Sequence, residues 1–283
     1  MRIMSLNTWA GCVDGLVEYI DEKSRTCDVL CLQEVHHAYG PNVPEKVVPT
    51  DPGSRTTPQR PHLFKELRQR LARSHTGLYA PQLQDALHDS EATSMPIMFG
   101  NALFYSDRVV VNRVEYRPVY EEFGKLFDEH VGTPSCKSMQ TIVVQLPEYQ
   151  LLIGNIHGFW HPDGKVDMRA RDLQSKKIAS MLKAGQTACG FSKPTELLLI
   201  GDFNYTSSMR AMKSLVGANC FGKDGGIHLN QKFGIKDTRT KWYKKEVREA
   251  DHAIVSPGLP VTNFFVDNCA PSDHAALFVE IKD

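Results

Sequence analysis

The sequence predicts an α/β fold in which two packed sheets are flanked by helices, and three observations carry that expectation. Short apolar runs at 2–6 and 29–32 bracket a helical pattern at 13–19, and a β–α–β opening of this kind favours layered architectures. Four strand-like runs then crowd together at 97–105, 109–119, 138–146 and 151–156 without long helices between them, which suggests antiparallel neighbours joined by hairpins. The last third returns to strands at 197–200, 252–255, 261–266 and 275–281. A chain of 283 residues is long for an average domain, yet layered folds reach that size undivided, so one domain over 1–283 is expected.

The remaining elements follow from local patterns. Pro41, Pro44, Pro49, Pro52, Pro58 and Pro61 fall within one stretch; proline lacks the donor that helices and inner strands need, so this reads as a long surface loop. Over 62–72, Leu63, Leu67 and Leu71 recur every four positions, as one face of a helix requires. A second amphipathic helix is expected over 166–182, with Ala170, Leu173, Ile178, Met181 and Leu182 inward.

Composition narrows the class. With 41% hydrophobic and 23% charged residues, the chain is neither disordered nor fibrous. Its 33 Lys plus Arg balance 33 Asp plus Glu, whereas a protein that clamps long duplexes carries a basic excess to neutralise phosphates. A local basic groove is still compatible with that total. The seven cysteines are scattered, odd in number and free of C-x-x-C spacing, so they are expected to be reduced and mostly buried. The first residues show no basic region followed by an apolar core, and no run is long enough to span a bilayer. A cytoplasmic, monomeric protein without a membrane span is therefore expected.

Four polar clusters sit where β-runs stop: Glu34, His157, the pair Asp202 and Asn204, and the triplet Ser272-Asp273-His274. Strand ends on one edge converge, and polar groups displayed from a rigid sheet form a site of preset geometry. Carboxylates with an amide oxygen, and no thiolate, suit a hard cation such as Mg²⁺ or Mn²⁺. Two histidines beside them can move protons or stabilise charge on a phosphate. Phosphate ester hydrolysis uses all of these parts.

In order along the chain, Leu6-Asn7-Thr8-Trp9, Leu32-Gln33-Glu34-Val35, Asn155-Ile156-His157, Gly201-Asp202-Phe203-Asn204, Asp251 and Ser272-Asp273-His274 resemble the motifs of the endonuclease/exonuclease/phosphatase superfamily. The resemblance implies a DNase-I-like fold, a four-layer α/β/β/α sandwich of two mostly antiparallel mixed sheets. It implies Glu34 as the main metal ligand, with Asn7 and Asp273 near it, and His157 at the scissile phosphate, oriented by Asp251. Asp202 would orient or deprotonate the attacking water, Asn204 would donate to the phosphate, and His274 would contact phosphate or a second metal. The expected substrate is a phosphate ester, first of all a phosphodiester in a nucleic acid or nucleotide. A phosphomonoester, a lipid or a sugar phosphate is the alternative, and an inactive binding module the rival class. His252 after Asp251 and Ala275-Ala276 after the last motif depart from many nucleases and leave the substrate class open.

The stretch from His157 to Lys165 leading to Arg169 and Arg171, together with Thr238-Arg239-Thr240 and Trp242-Tyr243, resembles a bacterial branch of that superfamily. Aromatic and arginine side chains near a phosphate can stack on a base and pair with anions, so Asn101, Trp160, Arg171 and Arg239 are the expected substrate-binding residues. Plainer readings stand beside these. His36 and His37 read as solvated loop histidines rather than ligands; Phe159 and Trp160 fit a cover for the sheet edge as well as a platform; Arg169 and Arg171 fit a solvated helix face.

Overall fold

The computed structural model describes residues 1–40, 43–49, 57–88, 94–123, 136–190 and 193–282. The elements run β1 (Arg2–Asn7), α1 (Leu16–Ser24), β2 (Val29–Ala38), α2 (Leu63–Leu71), β3 (His75–His88), β4 (Ser94–Ser106), β5 (Val110–Tyr120), β6 (Lys137–Gln145) and β7 (Gln150–His157). Then follow α3 (Arg169–Ala188), β8 (Thr195–Asp202), α4 (Arg210–Val216), β9 (Ile227–His228), α5 (Leu229–Lys232), β10 (Asp251–Val255), β11 (Val261–Asp267) and β12 (Ala276–Ile281).

Two six-stranded sheets result, ordered β11-β12-β1-β2-β4-β3 and β5-β6-β7-β8-β10-β9. Among the described strands β1 with β2 and β7 with β8 pair in parallel, and the other neighbours are antiparallel. A parallel pair needs a crossover, and α1 and α3 are those crossovers. Alternation along the strands then builds the layers. Ile3, Val29, Leu198 and Ile200 point between the sheets. Met4, Leu30 and Leu32 pack outward on Leu16 and Ile20 of α1 and Leu63 and Leu67 of α2. Leu197 and Leu199 pack outward on Ile178 and Leu182 of α3 and Met212 and Leu215 of α4. The order is helix, sheet, sheet, helix, the four-layer sandwich expected.

At one end the apolar layer between the sheets gives way to amides. Gln33 Nε2 donates to Asn155 Oδ1 at 2.7 Å, and Asn155 Nδ2 donates to the carbonyls of Leu32 and Ala102 at 3.2 and 3.1 Å. Asn101 Nδ2 donates to the carbonyls of Ser138 and Asn155 at 3.2 and 3.4 Å. An unpaired amide in that position would cost the full desolvation of its polar atoms, so this seam locks how the sheets lie across one another.

The structure corrects several expectations. The strand β3 was not legible because Gly77 and Pro81 interrupt its pattern; Gly77 leaves room for the Phe104 ring, whose Cε1 lies 2.6 Å from where a Cβ would be. Pro81 falls at a register shift on the sheet's edge strand, where a missing donor is tolerated. The first helix starts at Leu16 rather than 13, after Gly15 at φ +87°. The helix α3 starts at Arg169 rather than 166, and its buried face is Arg171, Gln174, Ser175, Ile178 and Leu182, with Leu173 49% exposed. Histidines 36 and 37 continue β2 and pack edge-on to Phe99, Phe64 and Tyr79, so they are not loop residues. Residues 41–42 and 50–56 of the proline-rich loop lie outside the described residues. All seven cysteines are free, and among the described residues no helix is long and apolar enough to cross a membrane.

Beneath β10, His228 Nε2 meets His252 Nδ1 at 3.1 Å, and His252 Nε2 meets the Tyr205 carbonyl at 2.7 Å. Burial holds both imidazoles uncharged, pushed down to about 4 for His228 and about 3 for His252 from an ordinary 6.5. Below 6.5 the unfolded chain binds protons that the folded chain refuses, so this stability is complete above that pH and is lost as pH falls toward 4 and then 3. A His228→Gln/His252→Asn double variant should therefore flatten the dependence of the urea midpoint on pH between 6.5 and 4. An unchanged slope would show that the pair does not titrate on unfolding.

Candidate active site

Glu34 reaches the site because β2 breaks its own alternation. The register with β4 shifts between Leu32 and Val35, and Glu34 occupies the left-handed region at φ +53°, a conformation that costs a non-glycine residue about 1–3 kcal/mol and clusters at functional sites. Thr8 Oγ1 donates to the carbonyls of Gln33 and Glu34 at 3.0 and 2.8 Å and holds the bulge. Asn7, at the end of β1, then joins the two sheets: its Nδ2 donates to Glu34 Oε1 at 3.0 Å and to Asp202 Oδ2 at 3.0 Å. Its Oδ1 accepts the Trp9 N–H at 2.9 Å. Asn7 thus bridges the two carboxylates, one from each sheet.

The second sheet contributes from the matching strand ends, since His157 and Asp202 are in register on β7 and β8 and Asp251 pairs with Asp202 on β10. Asp202 Oδ1 accepts the Asn204 N–H at 2.8 Å, with Asn204 itself left-handed at φ +58°. Asn204 Nδ2 donates to the Gly158 carbonyl at 3.2 Å. Gly201 and Gly158 permit this approach: a Cβ on either would stand 2.1 Å from the Ile156 oxygen or 2.2 Å from the Phe203 oxygen. His157 Nε2 lies 3.8 Å from Glu34 Oε1 and 4.0 Å from Asp202 Oδ2.

Asp251 orients His274, where the resemblance had implied His157. His274 Nδ1 sits 2.8 and 2.9 Å from the two Asp251 oxygens, and Thr238 Oγ1 donates to Asp251 Oδ2 at 2.9 Å. The reason is topological: residue 274 precedes β12 and is bridged to Arg239, which brings it beside the start of β10. His274 Nε2 faces Asp202 Oδ2 at 3.7 Å and Asp273 Oδ1 at 3.8 Å. Burial lowers the His274 imidazole to about 4 and raises the Asp251 and Asp202 carboxyls. With the imidazole uncharged, Nδ1–H donated to Asp251 would leave the lone pair of Nε2 turned to Asp202.

Two groups have the spacing of a cation site. Glu34, His157 and Asp202 place ligand atoms within 4.8 Å of one another, as do Asp202, Asp251 and His274. Asp273 stands beside them with Oδ2 on Arg239 Nη1 at 3.1 Å, while its buried Oδ1 has no hydrogen-bond donor among the described residues. A buried carboxylate oxygen left in that state is costly, and a donor set of carboxylates and imidazole without thiolate fits a hard divalent ion. Glu34, Asp202, Asn204, Asp273 and His274 border one cavity of about 580 Å³, together with Trp160, Arg171 and Arg239.

The expected substrate residues divide. Trp160 is 46% exposed on the cavity, whereas Phe159 is buried against Tyr120 at 4.9 Å. Arg171 is 1% exposed, neither a solvated face nor a free guanidinium, since it donates to the carbonyls of Val166, Gly164 and Asn204. Asn101 is fully buried in the seam between the sheets and does not border the cavity. Sequence reasoning missed Lys165, whose ammonium donates to the carbonyls of Val247 and Glu249 at 3.0 and 2.6 Å, and missed Lys244 and Lys245 on the cavity wall. The Lys-Lys pair after Trp242-Tyr243 was the available signal.

The sequence profile of the Endonuclease/Exonuclease/phosphatase family matches residues 4–274. The chain belongs to this family. Endonuclease/Exonuclease/phosphatase members are phosphoester hydrolases, generally dependent on a divalent metal. Among curated proteins none matches the sequence. Solved structures agree on the fold. An endonuclease/exonuclease/phosphatase from Bacteroides vulgatus is 15% identical with a TM-score of 0.63, covering 99% of this chain and 98% of that one. The human Nocturnin catalytic domain with bound sulfate is 16% identical with a TM-score of 0.64, covering 100% and 94%. A Bacteroides thetaiotaomicron mannosyl-6-phosphatase is 14% identical with a TM-score of 0.65, covering 100% of both.

Because Gly201 lies at φ +144° against the Ile156 oxygen and immediately precedes Asp202, Gly201→Ala should lower stability by about 1–3 kcal/mol through backbone strain. Its urea midpoint should fall at constant slope, and turnover of any substrate the wild type cleaves should fall with it. A wild-type midpoint would mean the β7–β8 ends are not held as described.

Proposed function

We propose that this protein is a Mg²⁺- or Mn²⁺-dependent phosphoester hydrolase that cleaves a phosphodiester by direct attack of water. The observation that supports it is the meeting of Glu34 and His274, from β2 and the lead into β12 of one sheet, with Asp202 and Asp251 of the other; Glu34, Asp202 and His274 border one cavity and Asp251 lies behind His274. Glu34 and Asp273 would hold the ion, which when bound neutralises charge on the phosphoryl oxygens and acidifies water.

The chain's own groups account for the rest. Asp202 Oδ2 and His274 Nε2, 3.7 Å apart, can hydrogen-bond one water and take its proton as its oxygen bonds to phosphorus. Asp251 holds His274 in the tautomer that leaves Nε2 free to accept. His157 and the Asn204 amide meet the phosphoryl oxygens, whose charge grows as the ester P–O bond breaks, and the departing oxygen takes its proton from solvent. A phosphomonoester is the second reading, favoured by the compact cavity, which has the volume of a small-molecule site.

Turnover should be lost with EDTA and restored by Mn²⁺ or Mg²⁺ on a panel of oligonucleotides, nucleotides, sugar phosphates, inositol phosphates and sphingomyelin. Glu34→Gln, Asp202→Asn and His274→Ala should each reduce kcat by about 10²–10⁴-fold, the usual size of such contributions, with thermal midpoints near wild type. Metal-independent turnover, or full activity in Asp202→Asn, would overturn the assignment.

A further inference from the structure

All three tryptophans of the chain, Trp9, Trp160 and Trp242, border the cavity that holds the candidate ligands. Trp160 and Trp242 leave 46% and 42% of their surface open, large rings that a folded chain otherwise covers. Trp242 belongs to the segment Lys241-Trp242-Tyr243-Lys244-Lys245-Glu246-Val247, which sets three lysines against one glutamate.

This segment is held in place. Arg248 donates to Asp237 Oδ2 at 2.8 Å and to the carbonyls of Arg239, Thr240 and Tyr243 at 2.9, 3.1 and 3.3 Å. The Arg239 guanidinium lies 4.2 Å from the centre of the Tyr243 ring, and Tyr243 Oη donates to the Val247 carbonyl at 3.2 Å. Lys165 reaches the carbonyls of Val247 and Glu249 from the other side. A wall ordered before the ligand arrives lowers the entropic cost of binding.

The cations divide in the same way. Lys165 and Arg171 are taken up by backbone carbonyls and Arg239 by Asp273. Lys244 donates to the Lys241 carbonyl at 2.9 Å and stays exposed, and Lys245 makes no ion pair with a described residue. Both face the cavity, where Glu246 is their one acidic neighbour on the segment.

Resting on the phosphomonoester form of the hydrolase reading above, we propose that residues 241–247 select the substrate, and that it is a small organophosphate with a flat ring and a second phosphate. The ring lies against Trp242 and Trp160, and the second phosphate is met by Lys244 and Lys245. A volume of about 580 Å³ admits such a molecule, and the chain's zero net charge lacks the basic excess that a long polymer needs.

Since every tryptophan borders the cavity, intrinsic fluorescence reads occupancy directly, and the Asp202→Asn chain in EDTA keeps the probe intact. Adenosine 3′,5′-bisphosphate should quench it at about tenfold or lower concentration than AMP, and AMP should bind more tightly than glycerol phosphate. Trp242→Ala should weaken the bisphosphate about tenfold or more by calorimetry, and Trp242→Phe should restore most of it. Lys244→Ala/Lys245→Ala should abolish the preference for bisphosphate over AMP while keeping that for AMP over glycerol phosphate. Equal affinity for all three probes, or tighter binding of a single-stranded 12-mer than of the bisphosphate, overturns the proposal. Because binding is read without turnover, failure here is separable from failure of the hydrolase reading, which wild-type turnover with Mn²⁺ reports.

Discussion

Glu34 and Asp202 come from different sheets, are both withdrawn from water, and repel each other, yet one amide group holds them together. Asn7 Nδ2 donates to both at 3.0 Å, and everything that places the site follows from keeping that amide where the sheets meet. The seam of Gln33, Asn101 and Asn155 behind it prevents the sheets from sliding. An apolar interface tolerates repacking, whereas amides whose partners are fixed do not. The buried amides thus set a register between layers that hydrophobic packing alone leaves open.

Strain concentrates at the same end. Of the described non-glycine residues at positive φ, Trp9, Ala10 and Asn204 follow strand ends that feed the cavity, Glu34 sits at the bulge within β2, and Glu121 follows β5. Such conformations persist only where the surroundings over-determine them. Here the surroundings are Thr8 on the Glu34 bulge and the Asp202 carboxylate on the Asn204 N–H. The rigid sheets carry the chemistry, and the long connections after β7 and α5 carry the walls. Arg171 and Lys165 stitch those connections to backbone carbonyls.

Electrostatics completes the arrangement. Burial pushes Asp202 and Asp251 up and His274 down, which favours uncharged forms in a cleft rich in carboxylates. Arg239 offsets part of that charge through Asp273 and is itself propped on Tyr243. The result is an imidazole biased toward its neutral form and held by Asp251 beside the Asp202 carboxyl.

Much was legible from the chain alone because its signals are local. Alternation at 3–6 and 197–200, the four-residue period of Leu63, Leu67 and Leu71, and polar residues placed just after apolar runs report which face a residue takes and where a strand ends. These sufficed for the layered fold, while the ordered motifs from Leu6 to His274 carried the resemblance to the family and, with it, the grouping of Glu34, Asp202, Asp251 and His274 as candidates for one site. The sequence could not say which partner each would take. That Asp251 faces His274 rather than His157, that Arg171 turns to carbonyls, and that Asn101 is sealed between sheets are decided by how strands from distant parts of the chain cross. A residue's type states what it can bind; only packing in three dimensions states what lies within 3 Å of it.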